Sequence, residues 1–300
     1  MIIILLFCTP NSVKAQLMKI AASTLELEKA LQAARAEGGT VGLVPTMGAL
    51  HAGHASLVSR SVAENAVTVV SIFVNPTQFN DKTDLANYPR MPEQDCALLE
   101  RLGADIVFMP TVEDIYPTPD TRRFSYPPID TVMEGDRRPG HFNGVCQIVS
   151  KLFALVHPDR AYFGEKDYQQ IAVIRAMVAD LQLPVDIRPC PIVREASGLA
   201  LSSRNQLLTP EERQTAVNIS RVLQASIAYS GQHTVAETHD NVVSQLNAVN
   251  GLEVEYFQIV DGQTLQDITA WTDAPTVVGC ITVYCGHRPV RLIDNIHYRG

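Results

Sequence analysis

Basic residues are in the minority in this 300-residue chain, 24 Lys and Arg against 32 Asp and Glu, for a formal net charge of -8. Binding along a nucleic-acid backbone needs clustered cations, so this balance excludes a broad nucleic-acid footprint and points to small-molecule partners. No stretch approaches the roughly 20 consecutive apolar residues of a membrane span. The opening MIIILLFC is apolar but short, and no cation precedes it, so a secretory leader is not expected. Met18 begins MKIAASTLELEKAL as a second start, and residues 1–17 are set aside as an extension outside the fold. Cysteine is sparse as well. Cys8, Cys96, Cys146, Cys190, Cys280 and Cys285 are scattered through a chain too large to need disulfide staples, which implies reduced thiols and a cytoplasmic location. Cys280 and Cys285 fall in an apolar, strand-like run and are expected to be packed thiols. No zinc-type pairing of Cys with His is present, and no G-x-G-x-x-G follows the first strand, which excludes the nicotinamide-dinucleotide fingerprint.

What remains is an ordinary globular composition, 46% apolar and 6% aromatic, long enough for two cores. Ser23 can cap a helix over LELEKALQAARAE that stops at Gly38 and Gly39. Apolar runs follow at Thr40–Thr46, Val67–Val74, Ala104–Pro110, Arg160–Gly164 and Val185–Val193. Amphipathic stretches alternate with them: HASLVSRSVAEN, EQDCALLERLG, FNGVCQIVSKLFALV and DYQQIAVIRAMVADL. Strands buried on both faces and joined by helices predict an α/β, Rossmann-like, doubly wound parallel sheet with ligands at the carboxyl ends of its strands. After Val193 the pattern changes. Thr209, Pro210 and Glu212 supply cap, first-turn proline and capping-box acid for a long helix. A second helix, Thr234–Ala248, and the runs LEVEYFQIV, TVVGCITVYC and VRLIDNI predict a smaller C-terminal α+β domain with an antiparallel sheet. The expected division is 18–192 and 193–300.

Four motifs carry chemistry. VPTMGALHAGH (Val44–His54) leaves the first strand and enters a helix at about His54. Gly48 and Gly53 permit close backbone approach, and unpaired amides at the helix start favour an anion. His51 and His54 can donate to phosphate oxygens as a leaving pyrophosphate gathers charge. Taken alone they are equally two surface histidines beside a turn, and they lack a third ligand for a metal. FGEKDYQQ (Phe163–Gln170) places the mobile cation Lys166 at another strand end, while Asp167 and Gln170 have the spacing of a capping box. GLALSSRN (Gly198–Asn205) offers Ser202, Ser203 and Arg204 to a triphosphate from the opposite side, or is a polar linker. SIFVNPTQF (Ser71–Phe79) ends a buried strand in Gln78, whose neutral amide suits a hydroxy acid, or caps a turn. DRRPGHF and DLANYPR read as loops at the same face, with Arg137, Arg138 and Tyr88 as candidates to gate a cleft.

These four motifs and the terminal RLIDN occur in the order and approximate spacing found in pantothenate synthetases, and the chain resembles that family from about Met18 to Asn295. HAGH and LSSR also resemble the HIGH and KMSKS signatures of the wider nucleotidyltransferase superfamily. The resemblance implies an ATP- and Mg²⁺-dependent ligase that converts pantoate to its acyl adenylate and then joins it to β-alanine, in a cytoplasmic homodimer. It implies an ATP site lined by Thr46, Met47, Gly48, Ala49, Leu50, His51, Ala52, Gly53 and His54, with Gly164, Glu165, Lys166, Asp167, Val193, Leu201, Ser202, Ser203 and Arg204. Gln78 and Gln170 would hold pantoate and β-alanine. His54 is the residue usually given a catalytic role, with His51, Lys166, Ser202, Ser203 and Arg204 stabilising the transferring phosphate. Val193 stands where methionine is frequent and Ser197 where aspartate is usual, and neither removes a proposed phosphate ligand. A transferase moving AMP onto a phosphate would need more cations near the second substrate than Gln78 and Gln170 supply. A tRNA synthetase is disfavoured by the short, acidic chain. A non-catalytic nucleotide-binding protein is disfavoured because every expected phosphate ligand is present.

Overall fold

The computed structural model of the chain describes residues 17–36, 38–80 and 82–300, so residues 1–16 of the expected extension and Cys8 lie outside the described residues. Six strands, β1 (Lys19–Ala21), β2 (Val41–Thr46), β3 (Val67–Ile72), β4 (Ile106–Phe108), β5 (Arg160–Gly164) and β6 (Asp186–Cys190), form one sheet. Its order is β1-β4-β3-β2-β5-β6, and every pairing is parallel. The chain winds from β2 out to β4 on one side and from β5 to β6 on the other. Strand order therefore reverses between β2 and β5, and the crevice opens at Thr46 and Gly164, where their carboxyl ends lie. Strand β1 was not expected: three residues at the sheet edge carry too little periodicity to register.

The helices are α1 (Thr24–Arg35), α2 (Ala52–Glu64), α3 (Lys82–Asn87), α4 (Pro92–Leu102), α5 (Val112–Ile115), α6 (Glu134–Arg137), α7 (His141–Val156) and α8 (Tyr168–Asp180). Ser23 caps α1, its hydroxyl accepting from the Glu26 amide at 3.3 Å. The helix ends at Arg35, short of the glycine pair, where the guanidinium donates to the Val156 and His157 carbonyls. The pleat sends Leu43 and Val69 to one face of the sheet, onto Leu27, Leu31, Phe142, Leu152, Ile174 and Met177 of α1, α7 and α8. It sends Val44 and Val70 to the other, onto Leu57, Val58 and Leu99 of α2 and α4. Both faces are covered, as the uninterrupted apolar runs require.

The second unit holds α9 (Pro210–Ser230), α10 (Val235–Asn247) and an antiparallel sheet of β7 (Leu252–Asp261), β8 (Val277–Cys285) and β9 (Val290–Arg299). Thr209 and Glu212 form the expected capping box at 3.0 and 3.2 Å, and Thr234 and Glu237 form another. The two helices bury Leu223, Val242 and Leu246 against Phe257, Ile281 and Val283 in a separate core. Cys280 and Cys285 are buried and free, as packed thiols.

Polar ties join the two units. Arg291 on β9 pairs with Glu134 of α6 and Glu255 of β7, each at 2.6 Å. Glu134 also accepts from Tyr256 and Thr282. Burial alone would raise its carboxyl, but hydrogen bonding to Arg291 and the charges of Arg291 and Arg138 hold it at about 2.

Candidate active site

The β2–α2 turn is held by its own side chains. Thr46 Oγ1 donates to the Ser71 carbonyl at 2.7 Å and accepts from the Gly48 amide at 3.2 Å. Gly48 has φ +79°, a left-handed backbone that glycine adopts without strain, and Ala49 follows at φ 49°. The Ala49 and Leu50 amides donate to the carboxylate of Asp95, on α4, at 2.8 and 2.7 Å. His51 is the N-cap of α2, so the helix starts at Ala52 rather than at about His54. His51 Nδ1 accepts from the Gly53 amide at 3.1 Å, and His54 Nδ1 accepts from the His51 amide at 3.4 Å. A Cβ on Gly53 would lie 2.8 Å from the His51 ring, which explains the glycine there.

These bonds correct the expectation of unpaired amides. The amides of Gly48, Ala49, Leu50, His51 and Gly53 all have partners inside the turn or on Asp95, and the side chains this segment brings to the cleft include both imidazoles. The two rings lie with centroids 4.1 Å apart. Burial, then the Lys166 charge, lowers His51 to about 4; burial, then His51 and Lys166, lowers His54 to about 3. Both rings are neutral near pH 7. With each Nδ1 accepting an amide hydrogen, the ring proton of each sits on Nε2. The pair is therefore two hydrogen-bond donors fixed in tautomer and orientation.

At the end of β5, Lys166 stands in a one-turn 3-10 helix, Glu165–Asp167, with its ammonium 3.3 Å from Asp167. Asn295 of β9 donates to the Glu165 and Lys166 carbonyls at 2.7 and 3.2 Å, which gives the terminal RLIDN a role in holding this turn. Asp294 is held by Arg194 at 2.6 Å. Asp167 makes no side-chain capping bond, so the capping-box alternative for Asp167 and Gln170 is not realised, and Gln170 lines the cleft.

At the end of β3, buried Asn75 donates to Gln78 Oε1 at 3.2 Å and to the Gly144 carbonyl at 3.1 Å. Its own oxygen accepts from Tyr116 at 2.8 Å and Thr77 at 3.2 Å. Gln78 Oε1 is thereby engaged, and its NH₂ donates to Met47 Sδ at 3.3 Å, which leaves the second amide hydrogen for a ligand. His141, which begins α7, donates from Nδ1 to the Gln78 carbonyl at 2.9 Å and accepts from Arg138 at 3.3 Å. Arg138 also faces Glu134 at 3.6 Å, whereas Arg137 pairs with its exposed neighbour Asp136 at 3.5 Å. DRRPGHF is thus the junction of α6 and α7, and DLANYPR lies partly in α3. Asn75, Asp95, Tyr116 and His141 had not been assigned a role from sequence. Asn75 and His141 stand inside motifs already singled out, whereas nothing near Asp95 or Tyr116 marks them.

On the opposite wall, Ser203 donates to the Ala49 carbonyl at 3.1 Å, Arg204 pairs with Asp84 at 2.9 Å, and Ser202 accepts from the Arg204 amide at 3.3 Å. The Val193 carbonyl accepts from Leu201 at 3.0 Å, which closes the base of this loop. The four motifs meet in one cleft. Thr46, Met47, His51, Gly53 and His54 line it with Gln78, Gly164, Lys166, Asp167, Gln170, Val193, Leu201, Ser202, Ser203 and Arg204, and Tyr88 joins them. Gly48, Ala49, Leu50, Ala52 and Glu165 are not among its lining residues: the first three lie in the β2–α2 turn, Ala52 begins α2 and Glu165 begins the 3-10 turn after β5.

A family model described as pantoate-beta-alanine ligase matches residues 19–297. The chain belongs to the pantoate–β-alanine ligase family. It is 62% identical over 282 residues to pantothenate synthetase of Bacteroides thetaiotaomicron, covering 94% of this chain and 99% of that one. It is 63% identical over 284 residues to pantothenate synthetase of Phocaeicola vulgatus, covering 94% and 100%. Among solved structures, pantothenate synthetase from Thermus thermophilus superposes with a TM-score of 0.88 at 43% identity, covering 94% and 100%. Pantoate–β-alanine ligase from Francisella tularensis, complexed with β-γ ATP and β-alanine, does so with a TM-score of 0.79 at 35% identity, covering 94% and 98%. This chain is an AMP-forming ligase of that family, joining pantoate to β-alanine with ATP through an acyl adenylate.

Proposed function

We propose that ATP lies across the wall formed by His51, His54, Lys166, Ser202, Ser203 and Arg204, with pantoate beside its α-phosphate on Gln78 and Gln170. The observation that carries this reading is the meeting, at the β2/β5 switch point, of two neutral imidazole donors, one ammonium and two neutral amides. Pantoate bears hydroxyls, a carboxylate and two methyl groups. The NH₂ of Gln78 donates to its oxygens without the ion pair that would blunt a nucleophilic carboxylate, and Phe73, Val145 and Ile148 on the same cleft suit the methyls.

In the first step a pantoate carboxylate oxygen attacks the α-phosphorus in line as the bond to pyrophosphate breaks. His51 and His54 donate from Nε2 to the departing phosphates, and Lys166 follows the charge that moves onto them. In the second step the β-alanine amine attacks the acyl carbon, loses a proton and expels AMP. Holding the reactants together supplies an effective concentration worth several kcal/mol, and no covalent enzyme intermediate is required. Mg²⁺ neutralises triphosphate charge when bound. The ion would be held mainly by the phosphates themselves.

The reading also divides the chain at 192/193, with the smaller unit closing over ATP through Leu201–Arg204, and takes the enzyme to be a cytoplasmic homodimer. Among the described residues no helix is long and apolar enough to cross a membrane. Purified protein given ATP, Mg²⁺ and pantoate should release pyrophosphate, and should form pantothenate with continued turnover only when β-alanine is added. Lys166→Ala should lower pyrophosphate release by about 100-fold or more. ATP binding without pantoate-dependent pyrophosphate release in the wild type would overturn the substrate assignment.

A further inference from the structure

Asp95 lies outside every motif that contacts the cleft. It sits in the first turn of α4 and is 2% exposed, which for a carboxylate demands partners. Its two oxygens take the amides of Ala49 and Leu50 at 2.8 and 2.7 Å, and both amides belong to the turn that delivers His51 and His54. The turn is tight at this point. A Cβ on Gly48 would lie 3.0 Å from Asp95 Oδ2, and Ala49 occupies a left-handed backbone that costs energy for any residue but glycine. The far side of the same segment is also held, because the Ala49 carbonyl accepts the Ser203 hydroxyl at 3.1 Å. The segment that sets the angle of the histidine pair is thus gripped from α4 on one side and from the Leu201–Arg204 loop on the other.

We propose that Asp95 is a positioning residue for the adenylation step: it braces the Gly48–Leu50 turn so that His51 and His54 present Nε2 to the departing pyrophosphate. The inference rests on the placement of ATP phosphates beside those histidines. Asp95 does not itself line the cleft; it lines a separate pocket behind the turn, with Met47, Gly48, Ile72 and Met109. Its carboxylate occupies the Ala49 and Leu50 amides, so those two donors are not available to an anion in the cleft.

The test uses the full chain carrying Asp95→Asn, which keeps the size of the side chain but turns one acceptor into a donor facing an amide. Two rates are measured on one preparation: pantoate-dependent pyrophosphate release from ATP, and pantothenate formation from supplied pantoyl adenylate and β-alanine. The second reaction expels AMP, and no pyrophosphate departs against the histidine pair. The expected result is a fall of about 100-fold in the first rate, as for an angstrom-scale misplacement of catalytic groups, with the second within about twofold of wild type. Asp95→Glu, which keeps the charge but shifts the acceptors by one methylene, should show the same split. Adenylation near the wild-type rate in either variant, or a parallel fall in both rates, would overturn the positioning role. Wild type that releases no pyrophosphate with pantoate would instead overturn the placement of ATP.

Discussion

Replacing Asn75 by aspartate tests how the cleft reads pantoate. Asn75 is 1% exposed, and its NH₂ donates to Gln78 Oε1 at 3.2 Å and to the Gly144 carbonyl at 3.1 Å. A carboxylate there places an acceptor against two acceptors. The simplest relief is a flip of Gln78, which turns its NH₂ onto the new carboxylate and points its oxygen into the cleft. Pantoate then loses one donor and meets a like dipole. Loss of a hydrogen bond to a charged group costs about 1.5–3 kcal/mol, or roughly 10- to 150-fold in affinity. Pyrophosphate release measured against pantoate and against ATP should show KM for pantoate rising by that factor, with KM for ATP within about threefold. Tyr116→Phe removes one donor to Asn75 Oδ1, leaves Thr77 in place, and should change KM for pantoate by less than about threefold. Equal rises in both KM values, or none, would refute the reasoning.

Two further expectations concern stability. His51 and His141 are lowered to about 4 and His54 to about 3, mainly by burial, against 6.5 for an open histidine. The unfolded chain therefore binds protons more readily, so the contribution of these groups is complete above about pH 6.5 and is lost as pH falls toward 4. Urea unfolding should give a lower midpoint at about pH 5 than at pH 7, and an unchanged midpoint would count against neutral burial. Separately, Arg291→Met strands the buried Glu134 carboxylate and should destabilise by about 3 kcal/mol or more by thermal or urea unfolding. The double change with Glu134→Gln should recover part of that loss, whereas additive losses would show that the pair is not coupled.

The strands and helices with strong periodicity were legible because their signals are local. Thr209, Pro210 and Glu212 mark a helix start, and the paired Val69 and Val70 mark a strand covered on both faces. The short strand β1 was not legible, since Lys19–Ala21 owes its state to hydrogen bonds with β4 rather than to its own pattern. The limits of α2 were shifted for a similar reason: a histidine cap is outside the usual Ser, Thr, Asp and Asn set.

The candidate site divides along the same line. Local sequence marked His51, His54, Gln78, Lys166, Gln170 and Arg204 as candidates beside turn-cap and linker alternatives, and it was the order and spacing shared with the pantothenate synthetase family that implied their roles. The tautomers of the histidines, the orientation of the Gln78 amide and the brace at Asp95 were decided by contacts that only the folded chain makes. Asp95 meets Ala49 across 46 positions, His141 meets Gln78 across 63, and Ser203 meets Ala49 across 154. A sequence shows which groups a ligand-facing turn carries. Which of their hydrogens and lone pairs remain for the ligand depends on what the fold has already paired, and that is settled only when the chain is packed.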